Sequence, residues 1–285
     1  MNIEKEGDGF ENLPVLTGKI EHNISQQTPL KQNSDFPEQP KPYKKSHAIF
    51  VRWENATDIP IEGEFNSLGK RLIADFDFEV KQYLLQDTKT SEALTGEVIS
   101  SIGNYVSKLS REDLVLFYYN GHGMRHKVQG QSSLLLHSHT KGGLGVFWTH
   151  IKTALRYATC DVVVILDCCY SGEPQKVDLT DALETQVDEG KKMNIIAACG
   201  STQTTLAGRH SFTNRLIICL EDLVKLKKPI HVEHDLNELI KKEVEDYISV
   251  SGVWLPQSNH LTGGDIVLFP KEKNAVAGGS GKSFG

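Results

Sequence analysis

Long hydrophobic runs and clustered basic residues are both missing from this 285-residue sequence. A helix needs about 20 consecutive apolar residues to cross a bilayer, and no run approaches that length. Lysine and arginine total 31 against 37 aspartates and glutamates, and they form no stripe interleaved with aromatic side chains. We therefore expect neither a membrane nor a nucleic acid as a partner. Residues 1–10 are acidic and contain glycine, which is unlike a signal peptide.

Cysteine is also scarce, and its count is odd. All five cysteines lie in apolar or strand-like surroundings, which favours reduced thiols over a disulfide framework. The sequence therefore predicts a cytoplasmic protein, with the nucleus as the alternative. The five residues are Cys160, Cys168, Cys169, Cys199 and Cys219.

The two ends of the chain lack the composition of a folded domain. Residues 1–45 hold five of the ten prolines among many polar residues, so we expect a disordered arm there. Residues 277–283 resemble a phosphate-binding loop, but Val276 stands where its first glycine would be. Residues 271–285 are therefore predicted to be a flexible tail, which leaves 46–270 as the folded domain.

Between these ends, apolar runs typical of buried strands alternate with apolar stripes at helical spacing. This alternation predicts an α/β fold with a mainly parallel central sheet flanked by helices on both faces. Thr90 or Ser91 is expected to cap the second helix. The strands are predicted at 47–53, 78–84, 114–119, 161–167, 194–199 and 266–269, and the helices around 65–73, 94–105, 151–158, 212–223 and 236–247.

Two of the predicted strands end in segments of small residues that each carry one reactive side chain. The strand at 114–119 runs into Asn-Gly-His-Gly, in which the histidine is His122. The strand at 161–167 runs into Cys-Cys-Tyr-Ser-Gly, in which the second cysteine is Cys169. Because ligands gather beyond the carboxyl ends of parallel strands, we expect His122 and Cys169 to face one crevice.

A thiol beside an imidazole is a candidate for nucleophilic catalysis. The imidazole can favour the thiolate or accept its proton during attack, and can then protonate a leaving amine. Gly123 presents its N–H without side-chain obstruction, so this group and the N–H of Cys169 form a candidate oxyanion hole. Cys168 is expected to point into the sheet, because adjacent strand side chains alternate. A zinc site made of Cys168, Cys169 and His122 is an alternative, although vicinal cysteines fit tetrahedral geometry poorly.

These motifs resemble those of the caspase and metacaspase superfamily of cysteine peptidases. The matching features are His122-Gly123 after a hydrophobic strand and Asp-Cys-Cys-Tyr-Ser-Gly after the next, with His122 and Cys169 47 residues apart. Metacaspases typically read Asp-Ser-Cys-His-Ser-Gly, which places the nucleophile at Cys169 rather than Cys168. The resemblance covers about residues 46–270, is closest to the metacaspase-type motifs, and implies a caspase-like α/β/α sandwich.

The resemblance implies a cysteine endopeptidase that cleaves protein or peptide substrates through Cys169 and His122, with no cofactor required for the chemistry. It also implies that Asp167 lines the pocket for an arginine or lysine before the scissile bond. The alternative for Asp167 is a strand-end carboxylate paired with a nearby basic residue. Three departures from the metacaspase pattern are Ser67, where an aspartate usually lines the pocket, Tyr170, in place of a histidine, and the lack of acidic residues near Gly200-Ser201-Thr202. A catalytically weak signalling or scaffold module is the rival function.

Activation and assembly stay open at this level. The sequence does not indicate whether calcium activates the protein. Caspases dimerise through their last strand and metacaspases mostly act as monomers, so a monomer and a homodimer are both compatible with the motifs. The acidic stretch 176–192 lies where the superfamily carries the linker between its large and small catalytic segments. Lys191-Lys192 is a candidate self-cleavage site there, and a solvated loop is the alternative.

Overall fold

In the computed structural model, strands and helices alternate within residues 40–271, as the periodicity predicts. The predicted arm up to residue 39 and the tail from residue 272 lie outside the described residues. Tyr43, which precedes the predicted start of the domain, contacts the folded part of the chain. Its hydroxyl donates a hydrogen bond to Asp161 at 2.8 Å. The described residues are 40–56, 59, 61–87, 89–128, 131–139, 143–171, 190–199, 211–241, 257–262 and 265–271.

The strands of the described residues are β1 (Ser46–Trp53), β2 (Phe78–Leu85), β3 (Leu114–Asn120), β4 (His122–Val128), β5 (Gln131–His137), β6 (Gly145–Phe147), β7 (Asp161–Asp167), β8 (Met193–Ala197), β9 (Ile230–His231), β10 (Gln257–Thr262) and β11 (Val267–Leu268). The central sheet has the order β10-β8-β7-β3-β1-β2. Its five strands from β8 to β2 pair in parallel, and β10 pairs with β8 antiparallel at one edge. The prediction of a mainly parallel sheet is confirmed.

Helices cover both faces of this sheet, and the alternation of side chains along the strands separates two apolar cores. Val115 and Phe117 of β3 belong to the core under α2 and α3, whereas Leu116 and Tyr118 belong to the core under α1 and α4. A strand that contributes to both cores is apolar throughout, which explains its continuous hydrophobic run. The helices are α1 (Glu62–Phe76), α2 (Ser91–Val106), α3 (Trp148–Arg156) and α4 (Phe212–Lys225).

Two helices begin at side-chain caps. The Thr90 hydroxyl accepts a hydrogen bond from Ala93 N at 3.3 Å, so Thr90 rather than Ser91 caps α2. The Ser211 hydroxyl accepts from Asn214 N at 3.1 Å and caps α4. Each cap satisfies one of the backbone N–H groups that a helix start leaves without an intrahelical partner.

The carboxyl-terminal part differs from the sequence prediction. The predicted final strand at 266–269 is only Val267–Leu268, and it pairs with β9 in a separate two-stranded sheet. The strand that closes the central sheet is β10, whose sequence Gln-Ser-Asn-His-Leu-Thr gives no apolar pattern. The helix predicted at 236–247 follows a π-helical turn at Val232–Leu236, and its residues beyond 241 lie outside the described residues.

A three-stranded antiparallel sheet of β4, β5 and β6 was not predicted from the sequence. Its first strand reads His-Gly-Met-Arg-His-Lys-Val, without apolar alternation. Pairing with β5 stabilises this strand, and Leu134 and Leu136 of β5 are buried in the core that α2 and α3 cover. The hairpin begins at His122.

Candidate functional site

The register of the central sheet brings His122 and Cys169 to the same edge. Asn120 of β3 lies opposite Asp167 of β7, and Gly121 N donates to Asp167 O at 3.2 Å, one step beyond that pair. His122 and Cys169 each follow their paired strand end by two positions. Because the strands are parallel, the two side chains leave the sheet at the same level. Both are partly exposed.

The turn between β3 and β4 is held by the hydroxyl of Tyr119. This hydroxyl donates to the His122 carbonyl oxygen at 2.8 Å. Gly121 passes close beneath it, since a Cβ atom on Gly121 would lie 2.8 Å from the Tyr119 hydroxyl oxygen. A larger residue at 121 would displace the hydroxyl that fixes the backbone of His122. The Asn-Gly-His-Gly motif thus has a packing reason for its first glycine.

Gly123 lies directly against the turn that carries the two cysteines. A Cβ atom on Gly123 would come within 2.2 Å of the Cys169 carbonyl oxygen and within 2.9 Å of the Cys168 sulfur. Real Cβ atoms do not approach other atoms so closely, so this position admits only glycine without a shift of the turn. The predicted meeting of the two motifs in space is therefore present.

The turn after β7 separates its two thiols. Cys168 is fully buried and Cys169 is partly exposed, as the alternation of side chains predicts. Tyr170 has a left-handed backbone with φ of +58°, which is uncommon for an aromatic residue and reverses the chain sharply. Ser171 then anchors the turn, because its hydroxyl accepts from Cys199 N at 3.2 Å.

The buried thiols of this region are held in their neutral form. Burial raises the pKa of Cys168 well above its ordinary value, and the neighbouring thiols Cys199 and Cys169 raise it further. Burial is also the main cause of the raised pKa of Cys199. A thiol must ionise to act as a nucleophile, so Cys168 and Cys199 are poorly suited to that role.

Asp167, the last residue of β7, is held in a buried polar network. Only 5% of its surface is exposed. Its Oδ2 accepts hydrogen bonds from the Thr213 hydroxyl at 2.5 Å, from Thr213 N at 3.2 Å and from Asn120 Nδ2 at 3.4 Å. The Tyr118 hydroxyl lies 2.5 Å from the Thr213 hydroxyl, and the negative charge of Asp167 helps burial to raise the pKa of Tyr118. The carboxylate is thus fixed between β3, β7 and the start of α4.

The caspase domain model matches residues 64–251, which is about two thirds of the chain. The chain belongs to the caspase domain family. Among solved structures, caspase-1 from Spodoptera frugiperda is similar with a TM-score of 0.51 and 13% identity, over 82% of this chain and 92% of that one. A protein from Geobacter sulfurreducens has a TM-score of 0.50 and 14% identity, over 76% of this chain and 93% of that one. At such identities the likeness concerns the fold. No curated protein matches the chain.

The caspase domain carries charged residues around Asp167 that the sequence did not single out. Arg215, on the first turn of α4, is 6% exposed, and its Nε and Nη1 have no hydrogen-bond acceptor in the described part of the chain. Burial lowers the pKa of Arg215, and the charge of Asp167 opposes that shift. Glu64 is 7% exposed, and it accepts from Asn214 Nδ2 at 3.2 Å. Only their burial in the folded domain distinguishes these residues from ordinary surface charges.

The position of Ser67 differs from that of Glu64, although both lie on α1. Ser67 is exposed, whereas Glu64 is buried against α4. Glu64 also contributes to the raised pKa of Tyr118, which places its charge near the Asp167 network. Ser67 stands where metacaspases usually have an aspartate. Glu64 therefore supplies a carboxylate one turn earlier on the same helix.

His137 is a second histidine beside the reactive pair, and it was not predicted from the sequence. It lies opposite His122 in the β4–β5 register. The two rings stack with centroids 5.5 Å apart and an angle of 27° between their planes. His137 is 4% exposed, whereas His122 reaches solvent in part. The signal that would have located it is the pairing of a hairpin whose first strand lacks an apolar pattern.

The candidate self-cleavage site at Lys191-Lys192 is engaged in the fold. Lys191 is buried, and its Nζ donates to the carbonyl oxygens of Leu155 at 3.2 Å and Ala158 at 2.9 Å, at the carboxyl end of α3. Lys192 N donates to Asp161 Oδ1, and Lys192 Nζ donates to Asp265 O. A peptidase pocket has no access to the buried Lys191 side chain in this arrangement, which argues against cleavage after Lys191. The rest of the acidic stretch, 176–189, lies outside the described residues.

The described ranges of the chain hold neither a metal-binding cluster nor a membrane-spanning helix. No group of three or more His, Cys, Asp or Glu side chains there is arranged to hold a metal ion. In particular, the set of Cys168, Cys169 and His122 does not form one. No helix in the described ranges has the length and apolar composition that crossing a bilayer requires.

Proposed function

We propose that this caspase-domain protein is a cysteine endopeptidase with Cys169 as nucleophile and His122 as proton-transfer group. The observation that carries the proposal is the paired register of β3 and β7, in which His122 and Cys169 each follow the end of neighbouring strands by two residues. The contact of Gly123 with Cys169 supports it, since it joins the two turns into one surface.

In the proposed reaction, His122 takes the proton of the Cys169 thiol while the sulfur attacks the substrate carbonyl carbon. The N–H groups of Gly123 and Cys169 stabilise the oxyanion of the tetrahedral intermediate. Collapse breaks the C–N bond, and His122 gives its proton to the departing amine. Water then hydrolyses the thioester, with His122 as the base, and restores the thiol.

We propose that the enzyme cleaves after basic residues. Asp167 supports this preference because its carboxylate, two residues before the nucleophile, is fixed by hydrogen bonds from Thr213. Glu64 adds a second negative charge to the same network. An arginine substrate would gain more than a lysine, since its planar guanidinium can donate two parallel hydrogen bonds to a carboxylate.

A second specificity, cleavage after acidic residues, is favoured by one observation. Arg215 is buried near Asp167 with two N–H groups that lack acceptors among the described residues. A substrate carboxylate could accept hydrogen bonds from these two guanidinium nitrogens, Nε and Nη1. Cleavage after basic residues and cleavage after acidic residues require pockets of opposite charge, so a substrate scan separates the two.

The test of the proposed function has two parts. The first measures the rate at which iodoacetamide labels each of the five thiols in the native protein, by mass spectrometry of the derived peptides. Labelling of Cys169 much faster than the others supports a nucleophile, and equal rates favour a signalling or scaffold module without catalysis. The second is a positional-scanning peptide library, with and without calcium. Cleavage after arginine or lysine supports the role of Asp167, and cleavage only after aspartate or glutamate supports Arg215.

A further inference from the structure

We propose that His137 is a positioning residue whose ring supports the protonated form of His122 during the reaction. The proposal rests on the proposed function, because His122 carries the proton only if it serves Cys169. The structural observation is the stacking of the two rings at 5.5 Å, with 27° between their planes.

The hairpin fixes which ring faces His122. Residues that are directly opposite on an antiparallel pair project from the same face of the sheet and contact each other. His122 and His137 form such a pair, whereas the neighbouring polar residues of β4 lie opposite other positions of β5. The His122 backbone is itself held by the Tyr119 hydroxyl. The imidazole of His122 therefore meets the flat face of His137 in a fixed arrangement.

Burial determines the charge of the supporting ring. Removal from water disfavours the charged form of an imidazole, so His137 at 4% exposure is favoured in its neutral form. A neutral aromatic face attracts a cation placed over it. When His122 takes the thiol proton, the resulting imidazolium lies over such a face. The contact thus strengthens as charge develops, which is the requirement for an interaction that assists a reaction step.

Other charged and titratable groups lie on the elements packed around β5. Arg125, His126 and Lys127 of β4 lie opposite Leu134, Ser133 and Ser132, and all three are exposed. The titratable groups on the other packed elements are Tyr119 of β3, which donates to the His122 carbonyl oxygen, His150, Lys152 and Arg156 of α3, and the thiols Cys168 and Cys169 of the adjoining turn. Among the described contacts, only His137 is a ring stacked on His122.

The test compares two substitutions that differ in the aromatic face. His137→Phe keeps a flat ring, and His137→Leu fills the site with an apolar side chain that has none. Each is combined with Cys169→Ala, and the proton titration of His122 is followed by NMR through its ring signals. With leucine the midpoint should fall by roughly 0.5–1 pH unit, the shift that corresponds to a cation–π contact of about 0.7–1.4 kcal/mol. With phenylalanine it should stay close to that of the Cys169→Ala parent.

Equal midpoints for the leucine and phenylalanine variants would overturn the proposal. His137→Asn, which keeps a polar group but no ring, should behave like leucine and serves if the leucine variant does not fold. In proteins that retain Cys169, the pH midpoint of Cys169 alkylation should rise with leucine and not with phenylalanine. The NMR titration requires neither activity nor a reactive thiol. It therefore decides the role of His137 even if slow labelling of Cys169 shows that the proposed peptidase function is wrong.

Discussion

Gly123 and Cys169 are in backbone contact, although 45 residues separate them in the sequence. A single methyl group on Gly123 would overlap the Cys169 carbonyl oxygen, at a distance of 2.2 Å. The contact ties the start of the β4–β5 hairpin to the turn after β7. It therefore sets the relative position of the histidine and the cysteine.

Gly123→Ala should separate these two turns. We expect kcat/KM to fall by roughly 10²-fold, because small displacements of reacting groups have effects of that size. The free energy of unfolding should fall by about 1–3 kcal/mol from overpacking. Gly96→Ala is the matched control, since nothing lies within 4 Å of a Cβ at this position in α2. It should raise stability by roughly 0.5–1 kcal/mol and leave kcat/KM unchanged. Full activity of Gly123→Ala would show that the contact is dispensable.

Cys169→Ala should abolish peptide hydrolysis, whereas Cys168→Ala should retain a substantial fraction of it. The reason is that Cys168 is buried with a raised thiol pKa, and Cys169 is the thiol that reaches the surface. Both rates are measured with the best peptide of the library scan, on protein whose melting temperature has been recorded. An inactive Cys168→Ala together with an active Cys169→Ala would mean that the nucleophile is misassigned by one residue.

His122→Ala should lower kcat by about 10²-fold or more, the usual scale for a positioned acid–base group. The fold should change little, because His122 is partly exposed and its backbone carbonyl, not its side chain, accepts the Tyr119 hydroxyl. The measurement is kcat together with thermal unfolding. An inactive variant with an unchanged melting temperature supports the role, and an active variant contradicts it.

Asp167→Asn tests the specificity, because it removes a charge and keeps the volume. For arginine substrates kcat/KM should fall by the factor that corresponds to a loss of roughly 1.5–3 kcal/mol of transition-state stabilisation. This is the scale of a hydrogen bond to a charged group. The asparagine oxygen can still accept from Thr213, which limits the loss of stability.

Arg215→Gln is the matched variant, because it removes a positive charge where Asp167→Asn removes a negative one. It should leave cleavage after arginine intact or improve it, since it removes a positive charge from the neighbourhood of Asp167. The reverse pattern, in which Arg215→Gln abolishes activity and Asp167→Asn does not, would assign the pocket to acidic residues.

The buried thiol of Cys160 should make the folded protein less stable at high pH. Burial raises the pKa of Cys160 from 9.0 to about 11, so the unfolded chain releases this proton at lower pH than the folded one. The contribution of this thiol to the free energy of unfolding is complete below pH 9 and is lost as the pH rises toward 11. Urea unfolding at pH 7.5 and pH 10.5 should show a decrease that is smaller in Cys160→Ala, by roughly 1–2 kcal/mol. The same decrease in both proteins would contradict the assignment.

The sequence by itself determined the parts of this protein that follow from local patterns. The run of apolar residues in β3 has one physical solution, a strand covered on both faces, and the alternating helices require parallel neighbours. From parallel neighbours it follows that His122 and Cys169 meet at one edge. The sequence narrowed the cap of α2 to Thr90 or Ser91, and the structure shows that the Thr90 hydroxyl accepts the N–H group of Ala93.

Only the tertiary structure decided the rest. The polar strands β4 and β10 carry no periodic signal in their sequences, and each is placed by its pairing with a neighbouring strand. His137 acquires its position from that pairing. Glu64 and Arg215 look like surface charges in the sequence, and the packing of α1 and α4 buries both beside Asp167. Burial multiplies the effect of a charge on its neighbours, and burial is a property of the whole fold rather than of any segment.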